Sequence, residues 1–267
     1  MTYREVDHDF VECATFADDY KYHGEGWQGD FHFIDFPWIE EGSESDYDVK
    51  ESDRNLTTGI NSIVDWLSGK RGDDYKTSYI YLHLMDEFSN NEDVGKSYAL
   101  RLLIHYMGDL CQPLHSENRY NSEFVDGDTG ANDFPLKYHY DVDELHALWD
   151  KVLYEEHNNI ARPFTNETWD EFQPRVTDVM DTYAYAVANT SVYESLDYDA
   201  FAHESFDIAI TLYDGVYENE AVPQAYLDKN IPIAYSQINK GGYRLFYTIK
   251  YIFEDQAASS FVSDEPA

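Results

Sequence analysis

The chain has 267 residues, of which 43% are apolar and 16% aromatic, so it can fill a large hydrophobic core and is not a disordered polymer. Its 18 basic and 53 acidic residues give a formal charge of −35, which repels polyanions and anionic membranes. A phosphate-bearing substrate would therefore need a local positive charge, for which a bound metal ion is the obvious candidate.

Loop-forming residues dominate the polar segment 1–18 and the Gly-, Pro- and Asp/Glu-rich segment 22–54. From residue 57 the apolar residues recur at helical spacing, beginning with Ile60, Ile63 and Leu67. Further helices are predicted over residues 79–88, 93–112, 142–158, 170–195, 202–216 and 222–254, with a second long loop at 117–138.

Strand-like alternation is rare, so the fold class predicted is all-α, with packed helices and long loops in one domain over residues 1–254. A polar tail follows at residues 255–267. No apolar stretch of about 18 residues that could cross a membrane is present, and the first residues lack the apolar run of a signal peptide.

Two of the predicted helices each carry a His and an Asp four residues apart, namely His105 with Asp109 and His146 with Asp150. Residues at that spacing project from one helical face. Imidazole nitrogen and carboxylate oxygen are both good zinc ligands. A single such pair is more often a surface hydrogen bond, but two pairs with His115 between them favour a metal site.

The other candidates are less regularly spaced. Asp18 and His32 lie in a loop-rich stretch beside aromatic residues, where spacing alone assigns no role. The two cysteines, Cys13 and Cys111, cannot form a disulfide framework or a thiolate zinc finger, and the sequence leaves one bridge between them open. The remaining histidines are interpreted as surface or core residues: His8, His23, His83, His139, His157 and His203.

Several short motifs follow one another in a familiar order. They are Ala17-Asp18-Asp19-Tyr20, Phe31-His32-Phe33-Ile34-Asp35, the run from His105 to His115 that ends Gln112-Pro113-Leu114-His115, Gly130-Ala131-Asn132, Leu145-His146-Ala147-Leu148-Trp149-Asp150, and Lys240 to Leu245. Together they resemble the class I nucleases, the single-strand-specific nuclease and 3′-nucleotidase family of the fungal S-one/P-one type. The resemblance covers roughly residues 13–250.

The resemblance implies an all-α enzyme with a trinuclear zinc site that cleaves phosphodiester bonds in single-stranded DNA and RNA, leaves 5′-phosphates, and removes 3′-phosphates from mononucleotides. It assigns Asp18, His32, His105 and Asp109 to a first zinc and His115, His146 and Asp150 to a second. Asp109 would also bridge to a third zinc paired with the first.

The resemblance implies further roles around the metals. Asp18, Asp109 and Lys21 are catalytic by this comparison, although Lys21 stands where the family usually has an Arg that touches phosphate. Phe33 would stack on the base and Asp35 and Asn132 would hydrogen-bond it; core packing is the alternative for Phe33. Ala131 replaces the second Gly of the family's Gly-Gly-Asn.

The N-terminus departs from the family pattern. The family's N-terminal Trp and the His five residues later, which complete the third zinc, have no counterpart, and 17 residues precede Asp18. Either a truncated gene model or a real loss of the third zinc is expected to explain this. The alternatives are a zinc-dependent phospholipase C, which would have Glu at Asp150, and a catalytically impaired relative.

Partners and compartment follow from the resemblance and from three glycosylation triplets, which begin at Asn55, Asn166 and Asn189. The expected substrates are single-stranded nucleic acid and 3′-nucleotides. We expect a monomer without a stable protein partner or membrane span, secreted or held in a lysosomal or endomembrane lumen.

Overall fold

Helices make up most of the described residues and strands only a small part, so the predicted all-α fold class is confirmed. The computed structural model describes residues 9–21, 26–49, 52–158, 160 and 163–260, with side chains described for all of these except Asp9 and 255–260. The predictions made for His8 and His23 lie outside the described residues.

The α-helices of the described chain are α1 (Asp9–Glu12), α2 (Phe16–Lys21), α3 (Leu56–Ser68), α4 (Tyr79–Glu87), α5 (Glu92–Asp109), α6 (Leu145–Asp150), α7 (Asn166–Thr182), α8 (Ser191–Glu194), α9 (Tyr198–Ala209) and α10 (Gln224–Ser260). Short 3-10 helices cover Cys13–Thr15, Gly26–His32, Glu44–Asp46, Asp74–Thr77, Pro113–Ser116 and Ala184–Val187. Within the described residues, no helix is both long and apolar enough to cross a membrane.

Helix α3 begins where the sequence supplies a cap. The Asn55 side chain accepts from the Thr58 backbone N–H, and the Thr58 hydroxyl accepts from the Asn55 N–H, so two helix-end donors are satisfied reciprocally. Gly69 ends the helix with a left-handed φ of 63°. The apolar face between these ends, including Ile60 and Ile63, is fully buried.

The central helix α5 packs against α2, α3, α4 and α10. Leu102 and Tyr106 of α5 are fully buried in a core cluster that also holds Trp66 of α3 and Phe201 of α9. A second apolar cluster surrounds α6 and joins it to α9 and α10 through Leu148, Ala209 and Tyr226. The candidate site lies where these two clusters meet, because α5 and α6 each carry one His/Asp pair.

Short strands lie in the segments predicted to be loops and at the start of the helix predicted over residues 142–158. Strand β1 (Phe36–Ile39) pairs in parallel with β2 (Glu117–Tyr120), and β3 (Pro135–His139) pairs antiparallel with β4 (Val142–Glu144). The first pairing joins segments about eighty residues apart, which no local pattern reveals. It places the stretch after His32 beside the stretch after His115, and the Ile34 amide donates to the His115 carbonyl at 2.8 Å.

Two predicted helices are shorter than their sequence pattern suggested. The helix expected over 142–158 is limited to α6, because Val152, Leu153 and Tyr154 all have positive φ and cannot continue a right-handed helix. The helix expected over 170–195 starts earlier, at a Thr165 cap, and is followed by a 3-10 turn and α8.

Candidate metal centre

The i, i+4 pair on α5 is formed as its spacing predicted. His105 Nε2 lies 3.3 Å from Asp109 Oδ2, and both side chains are largely buried. Two polar groups four residues apart on a buried face need partners there, since an unpaired buried charge is costly. Those partners come from elsewhere in the chain.

Asp18 of α2 and His32 at the end of its 3-10 helix complete this group. His32 Nδ1 lies 3.0 Å from Asp109 Oδ2 and 3.2 Å from His105 Nε2. The Asp18 carboxylate oxygens are 3.8 Å from His32 Nδ1 and 3.7 Å from His105 Nε2. The ligand atoms of Asp18, His32 and His105 lie within 4.8 Å of one another, a spacing that one metal ion can bridge.

The α6 pair forms a second group with His115. His146 Nε2 lies 3.8 Å from Asp150 Oδ2, and His115 Nε2 lies 3.9 Å from Asp150 Oδ1. The two imidazoles are buried, while the Asp150 side chain is half-exposed at the cleft. Here too the ligand atoms lie within 4.8 Å of one another.

Asp109 lies between the two groups. Its Oδ2 faces His32 and His105, while its Oδ1 is 3.8 Å from His115 Nδ1. The structure thus brings all seven predicted ligands together, as two triads with a shared carboxylate between them.

Backbone carbonyls fix the orientation of three of the imidazoles. Nδ1 of His105 bonds the Ala14 carbonyl at 2.7 Å, Nδ1 of His146 bonds the Gly130 carbonyl at 2.6 Å, and Nδ1 of His115 bonds the His32 carbonyl at 2.8 Å. Each Nδ1 must carry the proton to donate to a carbonyl, which leaves each Nε2 lone pair pointing into the site. Metal-ligating histidines characteristically donate their other nitrogen in this way.

Gln112 orients the second triad. Its Nε2 donates to Asp150 Oδ1 at 3.0 Å, and its Oε1 accepts from the Leu114 amide at 2.7 Å. The sequence motif that contains Gln112 predicts no role for this side chain. The carbonyls of Ala14, His32 and Gly130 could not have been found from sequence, because every residue has one.

Charge coupling in the site is strong. Burial favours the neutral form of His105 and of His115, but Asp109 outweighs it and raises the pKa of each imidazole to about 9. Burial opposes ionisation of Asp109 as well, yet His105 and His115 hold its pKa well below the usual range. A metal ion would replace these imidazole protons as the partner of the carboxylates.

The turn before the second triad depends on glycine. Gly130 has φ of +64°, and a Cβ there would lie 2.3 Å from the Leu114 carbonyl oxygen. Ala131, where the family has a second Gly, is buried with φ of 62° and so carries strain that Gly would avoid. Asn132 follows, with its Nδ2 donating to the Thr129 carbonyl at 2.7 Å.

Phe33 lies at the cleft and not in the core. Its ring stacks on His115 at 4.8 Å between centroids and lies 6.1 Å from His146, while the Lys21 ammonium is 5.5 Å from the Phe33 centroid. Asp35 is exposed at the rim, with a left-handed φ of 58°. Partial removal of its carboxyl group from water raises the pKa of Asp35 to about 6, against the pull of His115 and with help from Asp128 and Asp30.

The histidines predicted to lie outside the site pack against aromatic rings instead. His83 stacks on Trp27, His139 and His157 contact Tyr140, and His203 contacts Phe36. Cys13 and Cys111 are both buried, and no disulfide joins them in the described structure.

Comparison with known proteins agrees with this arrangement. The S1/P1 Nuclease family profile matches residues 1–254. The chain belongs to the S1/P1 nuclease family. Among its relatives, Endonuclease 4 of Arabidopsis thaliana is 22% identical over 263 residues, covering 95% of this chain and 80% of the relative. Nuclease S1 of Aspergillus oryzae is 25% identical over 247 residues, covering 88% and 76%.

Other S1/P1 relatives are matched over shorter stretches. Endonuclease 1 of Arabidopsis thaliana is 24% identical over 191 residues, which is 66% of this chain and 56% of the relative. Nuclease P1 of Penicillium citrinum is 28% identical over 150 residues, 54% of this chain and 44% of the relative. The chain of this nuclease family therefore carries two His/Asp triads whose ligand atoms could each hold a metal ion.

Proposed function

We propose that this protein is a zinc-dependent phosphodiesterase that hydrolyses single-stranded DNA and RNA to 5′-phosphate products. The observation that carries the proposal is the pair of His/Asp triads joined by Asp109, with three imidazole Nε2 atoms turned inward by backbone carbonyls. Nitrogen and carboxylate ligands at this spacing suit zinc.

The residues fit two zinc ions. His32, His105, Asp18 and Asp109 would hold the first, and His115, His146 and Asp150 the second; Asp109 would also hold one side of a third. Zinc, when bound, would act as a Lewis acid on the phosphoryl oxygens and would lower the pKa of a water that it binds to about 7. It also supplies the positive charge that a chain of net charge −35 lacks.

The chain's own residues complete the chemistry. The half-exposed carboxylate of Asp18 is the group that orients the attacking water and accepts its proton. The water oxygen bonds to phosphorus as the bond from phosphorus to the 3′ oxygen breaks. The 3′ oxygen leaves as a hydroxyl after taking a proton from solvent, and the phosphate stays on the 5′ side. Lys21, beside Phe33, pairs with a phosphate oxygen as a single charge and lacks the planar fork of Arg.

The residues proposed to bind the base lie at the rim of the cleft. The Phe33 ring offers a stacking face to an unpaired base, and Asp35 and Asn132 are the hydrogen-bonding groups proposed for its edge. A duplex hides the faces of its bases inside the stack, so this geometry favours single strands. The same site would remove the terminal phosphate of a 3′-nucleotide.

We place the protein in the secretory route as a monomer, on the strength of its family and its glycosylation triplets; the lysosomal alternative has no support. Asn166 and Asn189 are exposed, whereas Asn55 uses its side chain to cap α3. The two exposed sites are the better glycan acceptors.

A substrate panel tests the proposal. Zinc-loaded protein would be incubated with single-stranded DNA, single-stranded RNA, duplex DNA, 3′-AMP and phosphatidylcholine vesicles. We expect cleavage of the single strands with 5′-phosphate ends and release of phosphate from 3′-AMP. Cleavage of the vesicles alone would replace the proposal with a phospholipase C, and no turnover at all would support a catalytically impaired relative.

A further inference from the structure

A cation and an exposed aromatic ring lie together outside the metal centre. The Arg54 guanidinium lies over the Tyr79 ring at 4.8 Å, and Tyr79 is 40% exposed at the start of α4. Behind Tyr79 the rings of Trp27 and His83 stack at 4.1 Å and 28°, which braces the patch. Such a pairing of Arg with an exposed ring is the combination that binds single-stranded nucleic acid without sequence preference.

The patch adjoins the cleft. The Leu56 amide donates to the Phe33 carbonyl at 2.9 Å, and Arg54 precedes Leu56 by two residues, a chain distance of at most about 7 Å. Arg54 also contacts Asp30, which is close enough to affect the pKa of Asp35 at the rim.

The guanidinium has capacity to bind a phosphate. Nη2 of Arg54 lies 3.2 Å from Asp30 Oδ2, and both side chains are about half exposed, at 48% and 50%. An exposed ion pair of this kind contributes little to folding and exchanges readily. Arg has five N–H donors in a planar fork that matches phosphate, so one carboxylate contact does not exhaust it.

We propose that Arg54 and Tyr79 form a second nucleotide subsite, in which Arg54 swings off the Tyr79 ring to pair with a backbone phosphate and a second base of the same strand takes its place on the ring. The inference rests on the proposed nuclease function and extends it: the enzyme binds oligonucleotides over more than one nucleotide.

The test compares substrates of different length. Arg54→Gln and Tyr79→Leu would be assayed, as zinc-loaded enzymes, on 3′-AMP and on a single-stranded hexanucleotide. We expect each substitution to raise KM for the hexanucleotide about tenfold and to leave 3′-AMP hydrolysis unchanged, because the mononucleotide does not reach the subsite. Tyr79→Phe keeps the ring and should behave as the wild type.

Arg71→Gln is the matched control. Arg71 also pairs with an Asp and lies over a tyrosine ring, Asp65 at 3.5 Å and Tyr251 at 5.4 Å, but at the opposite end of α3. It should leave both activities unchanged. Thermal unfolding of every variant checks the fold.

Salt dependence separates binding from a structural role. Loss of one phosphate contact shifts the slope of log(kcat/KM) against log[NaCl] by about 0.7 for the hexanucleotide, so Arg54→Gln should show this shift and Tyr79→Leu should not. The subsite is overturned if both variants keep the wild-type KM for the hexanucleotide. It is also overturned if each variant loses the same share of activity on 3′-AMP and on the hexanucleotide. In either case the nuclease proposal stands. If the wild type cleaves neither substrate, the proposed function fails and the subsite falls with it.

Discussion

Asp109 is the residue on which the candidate centre depends most. Its two oxygens face three histidines, and no other described side chain contacts both triads in the same way. Removing its charge leaves buried imidazoles facing one another and removes a ligand from the first metal. Loss of the Asp109 charge is therefore expected to lower the zinc content of the protein as well as its activity.

Replacing Asp109 with Asn tests this role. The amide keeps the shape but lacks the negative charge, so we expect at least a 100-fold loss of kcat/KM on single-stranded DNA and weaker zinc binding, measured by metal analysis after dialysis. Asp86→Asn removes an exposed charge at the end of α4 and serves as the control. Wild-type zinc content in the Asp109 variant would contradict the assignment.

Residue spacing revealed part of the site. The pairs His105 with Asp109 and His146 with Asp150 were predictable, because a helix brings residues four apart to one face. Spacing does not predict Asp18 and His32, which only the family resemblance indicates, because tertiary packing alone brings α2 and the Gly26–His32 segment to α5. The contact between Arg54 and Tyr79 could not be predicted from sequence for the same reason.

At the scale of elements, α5 carries the first triad and its position depends on close packing. A Cβ at Gly95 would lie 2.4 Å from Met85 Cε and 2.8 Å from the Trp66 ring, whereas a Cβ at the exposed Gly108 meets nothing within 4 Å. The same helix therefore supplies both a constrained and an unconstrained glycine.

This contrast predicts opposite effects of one substitution. Gly108→Ala should stabilise the protein by up to about 1 kcal/mol through helix propensity, while Gly95→Ala should destabilise it by about 1–3 kcal/mol through overpacking against Trp66. Urea unfolding of both variants measures the difference. Equal stabilisation by the two would mean that α3, α4 and α5 are less tightly packed than described.

Element prediction was good for long helices and poor for short strands. The apolar repeats of α3, α4 and α5 gave those helices within a few residues, because each has one buried face and a capped start. Strands β1 and β2 are four residues each and pair across a long sequence separation, so their own sequence carries little signal.

At the scale of the molecule, the stability of the metal-free protein should depend on pH in an unusual direction. His105 and His115 have pKa values raised to about 9, above the unfolded value of about 6.5. Their contribution to stability is therefore fully present below about pH 6.5 and is lost as pH rises through 9.

Thermal unfolding of chelator-stripped protein checks this dependence. The unfolding temperature should fall by about 5–10 °C between pH 6.5 and 9, while the zinc-loaded protein, whose imidazoles hold metal and not protons, should change much less. Parallel curves for the two forms would contradict the coupling between Asp109 and the two histidines.

The net charge of −35 predicts how activity responds to solution conditions. Salt screens the repulsion between the acidic surface and a polynucleotide, so kcat/KM on single-stranded DNA should rise between about 10 and 150 mM NaCl, unlike that of a basic nuclease. Acid also relieves the repulsion. Partial loss of contact with water raises the pKa of Asp35 to about 6 and that of Glu144 to about 7, so these two carboxylates lose their charge in mildly acidic solution.

We therefore expect an activity optimum below pH 7, limited on the acid side by protonation of the metal ligands. Initial rates from pH 4 to 9 at fixed ionic strength measure it. An optimum well above neutral would contradict this prediction, as would a fall in kcat/KM on adding salt.

The most direct measurement of the central claim is zinc add-back to the stripped protein during single-strand cleavage. The account predicts no cleavage after chelation, recovery as at least two zinc ions bind per chain, and 5′-phosphate ends on the products. Cleavage that persists without metal, or zinc binding that restores no cleavage of DNA or RNA, would contradict it.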